Sequence, residues 1–172
     1  MKKFTLFLLL VSAFAFSQEK EKESPQDILK RHEIKINALA LVAGEVIDGS
    51  YEYLINEESS FGSSFSVGFG NETDLDYAIT PFYRRYFSNK FARGFFVEGF
   101  GTYFSGKDRD IDQSYEEAET ITGLALGISI GGKSVSKRGF TAEILLGIGR
   151  NFMDSEFTEA IGRIGISLGY RF

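Results

Sequence analysis

The chain is 172 residues long with a formal net charge of −5, a single histidine and no cysteine. That length suits one domain rather than two, and the missing cysteines exclude a lipoprotein acylation site, a disulfide framework and a thiolate metal site. The acidic balance argues against nucleic acid as a partner, since such binding rests on neutralising phosphates with Lys and Arg.

Lys2 and Lys3 precede a mostly apolar run from Phe4 to Phe16, and Ala15-Phe16-Ser17 has the small-x-small form of a cleavage site. This is the pattern of a secretory signal peptide, residues 1–17. The apolar run is too short for a spanning helix, which needs about 20 residues. Cleavage removes two lysines and no acid, so 17 of the 19 basic side chains remain against 24 acidic ones, a net charge of −7. Residues 18–33 (QEKEKESPQDILKRHE) are charged and lack alternation, and are expected to form a periplasmic leader. Ser24 followed by Pro25 could cap a short helix within it.

The remainder is rich in glycine (19 residues) and in Phe and Tyr, with only two prolines and no Trp. Its apolar residues recur at every second position, the period of a strand with two unlike faces. Eight such segments follow in chain order, roughly 34–43, 46–55, 61–70, 76–87, 94–104, 120–132, 139–150 and 161–172. In the third, Phe61, Phe65, Val67 and Phe69 alternate with Gly and Ser. In the sixth, Leu124, Leu126, Ile128 and Ile130 alternate with Gly123, Ala125, Gly127, Ser129 and Gly131. The seventh carries Phe140, Ala142, Ile144, Leu146 and Ile148. The last runs Ile164, Ile166, Leu168, Tyr170, Phe172 against Gly, Ser and Arg. Each segment has about the length of a tilted membrane strand, ~9–11 residues. An even count suits a bacterial single-chain barrel.

The connections alternate in character. Turns at 56–60, 88–93 and 133–138 are short, and two of them carry Lys90, Arg93, Lys133, Lys137 and Arg138. The opposite set, 44–45, 71–75, 105–119 and 151–160, includes the two longest connections. It is acidic, with Glu72, Asp74, Asp108, Asp110, Asp112, Glu116, Glu117, Asp154 and Glu156. Short periplasmic turns facing longer outer loops are the expected topology. Three places fit less cleanly. Asp48-Gly49 is a hairpin signal, read here as a bulge because a turn would leave strand two too short. Pro81 implies a bulge or a missing ladder bond. In strand five, placing Glu98 inside also places Phe96 and Phe100 inside and Gly99 and Gly101 outside. Glu98 is kept inside, because a charge facing hydrocarbon is the costlier error.

Small residues occupy one face and bulky apolar ones the other. An eight-stranded lumen is just wide enough for side chains, so the small face is assigned inward and the bulky face to lipid. The expected fold is an all-β, eight-stranded antiparallel up-and-down transmembrane barrel spanning 34–172. Ile34-Lys35-Ile36-Asn37, Tyr51-Glu52-Tyr53, Pro81-Phe82-Tyr83-Arg84-Arg85-Tyr86-Phe87 and Gly94-Phe95-Phe96-Val97-Glu98-Gly99 carry a further likeness. With them the chain resembles the small OmpA/OmpX-like outer-membrane barrels, and more particularly a family of secreted eight-stranded barrels. The resemblance covers nearly all of 33–172 and implies fold and outer-membrane location, with no agreed activity to carry over. The Leu168, Tyr170, Phe172 ending resembles the signal read by the barrel-assembly machinery, which is therefore an expected partner beside outer-membrane lipids.

Chemistry is sparse. His32 precedes the first expected segment and is read as a solvated leader residue outside the lumen. No second histidine exists to build the machinery that lipid-trimming barrel enzymes resemble. Asp108, Asp110 and Asp112 look superficially like a calcium loop, but the central Gly and terminal Glu of an EF-hand are missing. Solvated loop charge is the simpler reading. No catalytic set, cofactor site or metal site is expected. If the small face lines the lumen, Lys35, Asn37, Glu52, Arg84, Glu98, Glu143, Arg163 and Arg171 point inward. Of these Lys35, Glu52, Arg84, Glu98, Glu143 and Arg171 fall in the lower half, three cations and three carboxylates. Buried charges must be paired, so an ion-pair network is expected there. The reading of function is a structural or surface-interaction protein that displays acidic loops and is not an enzyme. A lipid-modifying barrel enzyme and a narrow channel stand as alternatives.

Overall fold

The computed structural model describes residues 29–69, 73–108, 119–153 and 160–172. The expected signal peptide, the leader up to residue 28, and Glu72, Asp110, Asp112, Glu116, Glu117, Asp154 and Glu156 of the acidic loops lie outside them. Eight strands follow one another: β1 (His32–Asn37), β2 (Val46–Leu54), β3 (Ser59–Gly68), β4 (Leu75–Tyr86), β5 (Gly94–Asp108), β6 (Glu119–Val135), β7 (Phe140–Asn151) and β8 (Ala160–Arg171). Each pairs antiparallel with the next, and β1 pairs with β8, so the sheet closes into an up-and-down barrel. Closure leaves no sheet edge to be satisfied. Both termini of the barrel meet at one end, its base, where the His32 N–H donates to the Phe172 carbonyl (3.1 Å) and the Phe172 N–H to that of His32 (2.8 Å).

The two faces are inverted relative to a water-soluble protein. Ile128, Ile148 and Ile164 are each more than 60% exposed on the outer face, whereas Glu33, Glu52 and Glu98 are fully buried inside. Aromatic side chains pair across seams near the base: Tyr53 with Phe61, Phe87 with Phe95, and Phe140 with Tyr170. Near the far end, Tyr77 pairs with Tyr103.

The inward placement of Phe96 and Phe100 with Glu98 has a steric basis. Phe96, Phe100 and Phe104 of β5 stand directly across from Gly131, Gly127 and Gly123 of β6. A Cβ at any of these glycines would run into the ring opposite it. Phe82 of β4 lies over Gly62 of β3 in the same way. Rings thus fill the lumen where glycine leaves room, and Gly99 and Gly101 take the outer face.

Three local expectations need correction, and a fourth, at Pro81, holds in one of its two forms. The first segment does not run from 34 to 43. It begins at His32 and ends at Asn37, after which Ala38–Ala43 forms a short helix, α1. Asn37 caps that helix by accepting from the Ala40 N–H (3.3 Å), and the alternating alanines and leucines, good helix formers, hold it until Gly44. The leader accordingly yields His32 and Glu33 to the barrel. Asp48-Gly49 is not a bulge, because β2 keeps one register with β3 from Val46↔Gly68 to Leu54↔Ser60 and Asp48 points inward. Lys133 does not belong to a turn, since β6 runs on to Val135. At Pro81, which has no N–H to give, the β4–β5 pairs stop at Ile79↔Tyr103 and resume at Phe82↔Phe100 without a change of register. This is the interrupted ladder expected at Pro81, and the bulge of the ladder lies elsewhere, between Leu75 and Tyr77.

The turn at 87–93 folds across the base. Phe91 and Ala92 are buried with Leu54, Tyr86, Phe96 and Leu145 in one apolar cluster. The Ala92 N–H donates to the Glu57 carbonyl (2.8 Å). Ala92 also takes a left-handed φ of 41°, a conformation costly for a residue with a Cβ and tolerated here by the packing around it. At the opposite end β5 and β6 stay paired up to Asp108↔Glu119, whereas β6 meets β7 only from Ala125 onward. The first residues of β6 therefore run beyond their pairing with β7, whereas β5 stays bonded to the β4 side up to Lys107.

Candidate functional site

Inward side chains of seven strands meet in one ion-pair network. At the base, Arg171 of β8 donates its Nε to Glu33 (2.7 Å) and its two terminal nitrogens to the carbonyls of Phe91 (3.2 Å) and Ala92 (2.8 Å). Lys133 of β6 joins Glu33 (2.8 Å) to Glu52 (3.1 Å). Glu52 of β2 is the hub. It accepts from Lys35 (2.5 Å), Arg84 (3.0 Å), Lys133, the Ser60 hydroxyl (2.5 Å) and the Tyr86 hydroxyl (2.5 Å). Higher up, Lys35 and Arg84 each reach Glu143 of β7 (2.7 Å both). Arg84 also meets Glu98 (2.5 Å), and Arg163 of β8 closes the series on the other oxygen of Glu98 (2.6 Å).

The register explains why these groups meet. Arg84 and Glu98 are direct cross-strand partners on β4 and β5, close enough for their side chains to touch. Glu98, Ser129, Gly147 and Arg163 form one row across β5, β6, β7 and β8. The small residues between them leave Arg163 space to span the wall. Rings lie against the cations: Arg84 stacks on Phe82 and Phe96 (4.5 and 4.4 Å), Lys133 on Tyr86 (4.6 Å) and Arg163 on Phe100 (4.5 Å). Such stacking is worth on the order of 0.5–2 kcal/mol, more where water is excluded.

All six residues assigned from sequence to the lower lumen, Lys35, Glu52, Arg84, Glu98, Glu143 and Arg171, are buried and belong to this network. Glu33 and Lys133 belong to it as well. The sequence reading placed them in the leader and in a turn, although each continues the inward parity of its strand (33, 35, 37 and 129, 131, 133). Arg163, assigned inward, completes the set at four carboxylates and five cations. His32 does not line the lumen. It starts β1 on the outer face, with Nδ1 bonded to the Tyr51 hydroxyl (2.7 Å) and the ring against Tyr53 and Phe172, so it is packed rather than solvated. Leu168, Tyr170 and Phe172 are exposed on the outer face of β8. Among the described residues no group of three His, Asp or Glu side chains is placed to hold a metal ion.

Between the network and the far end lies a cavity of about 520 Å3. Asp48 enters it, holding Asn37 Nδ2 through one oxygen (3.1 Å), while its other oxygen is buried without a partner among the described residues.

The sequence matches no protein-family model and no curated protein. A solved structure is similar to it: the N-terminal β-barrel domain of Pseudomonas aeruginosa OprF, with a TM-score of 0.57 and 14% sequence identity, over 83% of this chain and 98% of that one. At that identity the likeness carries the fold, a closed antiparallel barrel, and nothing about the residues inside it.

Proposed function

We propose that the chain is an outer-membrane barrel whose lumen is closed by its own side chains and whose task is structural or a surface interaction. The inverted partition carries this reading. A belt of exposed Ile, Leu, Phe and Tyr surrounds an interior that holds the paired charges, the arrangement that lipid outside and paired charge inside demand. The aromatic pairs lie where girdles sit at the two interfaces. In this reading the base faces the periplasm, the secretory signal peptide directs export from the cytoplasm of a Gram-negative cell, and the acidic loops face outward. Barrel-assembly machinery would read the Leu168, Tyr170, Phe172 ending.

An enzyme reading finds no support in the lumen. Glu98 and Glu143 are each held by two cations, which leaves neither free as a general base. The narrow-channel reading has one observation in its favour, the cavity above the network. The test is fractionation together with lipid analysis of a deletion strain. We expect the protein in the outer membrane with a heat-dependent gel shift, and unaltered envelope lipids when it is deleted. Recovery as a soluble periplasmic protein would overturn the membrane reading, and a lipid species gained or lost on deletion would favour the enzyme.

A further inference from the structure

The far half of the lumen is not filled by the network below it. Its cavity of about 520 Å3 falls within the range of small-molecule sites, about 300–1,000 Å3. The wall is divided in character, with Leu75, Phe104 and Leu145 on the apolar side and Ser50, Ser66 and Thr80 offering hydroxyls.

Four ionised side chains line it: Asp48, Arg84, Glu143 and Arg163. Arg84 and Glu143 are almost fully buried and bonded to each other and to further partners. Asp48 is held by Asn37 through one oxygen, and its other oxygen, an acceptor, has no partner among the described residues. Arg163 differs from these. Its side chain is 19% exposed and gives one terminal nitrogen to Glu98, while its face rests on Phe100. The Nε–H and the second terminal nitrogen have no partner among the described residues. A guanidinium fixed by a ring and one carboxylate, with a fork of N–H groups left over, matches a carboxylate in shape and charge.

We propose that this cavity is a binding site for a small monocarboxylate with a short apolar tail, its head taken by Arg163 and its tail by the Phe104 and Leu145 side. The single charge follows from the surroundings. Glu98, Glu143 and Asp48 all stand near the cavity, and a dianion such as phosphate would meet their repulsion. This binding role is additional to the structural one and would stand or fall separately from it.

The mature chain in phospholipid nanodiscs, titrated with hexanoate and followed by the backbone amides of Ser64 and Ser167, tests it. We expect saturable shifts, and binding at least about tenfold weaker for Arg163→Gln and for Ser50→Leu, which fills the cavity without removing a bond. Hexylammonium and inorganic phosphate are expected to bind at least about tenfold more weakly than hexanoate. Heat-dependent gel mobility verifies the fold of each variant. If Arg163→Gln does not fold, Arg163→Lys is measured, and loss of the fork is expected to weaken binding there too. Shifts that never saturate, or that are unchanged in Ser50→Leu, would mean partition into the bilayer and would overturn the proposal. Phosphate binding as tightly as hexanoate would overturn the monocarboxylate assignment.

Discussion

Arg84 and Glu98 stand opposite each other on β4 and β5 and are joined by a charge-assisted bond of 2.5 Å inside the lumen. Neither is an isolated partner. Glu98 also holds Arg163, and Arg84 also holds Glu52 and Glu143. Removing one member of a buried pair strands the other charge and costs about 3–5 kcal/mol. We expect Arg84→Met and Glu98→Gln each to lower the urea midpoint of the refolded barrel, with the double substitution recovering part of the combined loss. Recovery will be incomplete, because Arg84→Met deprives Glu52 and Glu143 as well. Strictly additive midpoints would show that the two side chains do not act as a pair.

Glu52 is the more consequential carboxylate. Three cations and two hydroxyls converge on it, whereas Glu143 receives two cations that both retain Glu52 as an alternative. Glu52→Gln should therefore cost roughly 3 kcal/mol or more, and Glu143→Gln distinctly less. Equal midpoints for the two variants in urea titration would contradict the hub.

The register of strand five makes a steric prediction. A Cβ at Gly123 would meet the ring of Phe104 first, and overpacking typically costs about 1–3 kcal/mol. Gly123→Ala should destabilise the barrel by about that amount in the native background and by less in a Phe104→Ala background. The double-mutant cycle in urea measures the coupling. No coupling would mean that the ring does not rest on the glycine.

Much of this architecture was legible because period two is a strong signal where one face is bulky and the other small, as from Ile164 to Phe172. Five of the six lower-lumen charges follow from parity, and Glu98 from the cost of a charge facing hydrocarbon. At Glu33 and Lys133 parity and charge point different ways, parity inward and charge to a leader and a turn. A buried, paired charge and a solvated one look alike in one dimension, and the partners of Lys133 lie 100 and 81 residues away. In sequence Asn37 is one more inward polar residue, because only the three-dimensional position of Ala40 shows it to be a helix cap. Phe96, Phe100 and Phe104 share a four-residue spacing with Gly123, Gly127 and Gly131. That matched spacing was a readable sign that the rings and glycines face each other.

The C-terminal residue closes the barrel as well as ending the alternation. Phe172 exchanges two backbone bonds with His32 and places its ring 5.7 Å from the imidazole. Deleting it should lower outer-membrane levels and leave material to be degraded in the periplasm. Phe172→Ala, which keeps the backbone bonds, should lie between the deletion and the native chain. Immunoblots of membrane fractions give the ordering, and native levels for the deletion would mean that neither the pattern nor the closure matters.

In the proposed reading the lumen offers two successive barriers to ions, and they can be separated. At the base, the 87–93 turn buries Phe91 and Ala92, pinned by Arg171 through both carbonyls. Above it, Lys35, Glu52, Arg84 and Glu143 join across the lumen with separations of 2.5 to 3.0 Å. The interior of an eight-stranded barrel is only just wide enough for side chains to fill, and charges bonded to each other have little freedom to swing aside. We expect the purified protein in planar bilayers to show no large, stable pore. Replacing the 88–93 turn by a short glycine-containing one should leave it silent, because the upper barrier is untouched by that change. Steady conductance from the shortened variant alone would assign the seal to the turn, and reproducible porin-sized openings from the native chain would reject the closed lumen altogether.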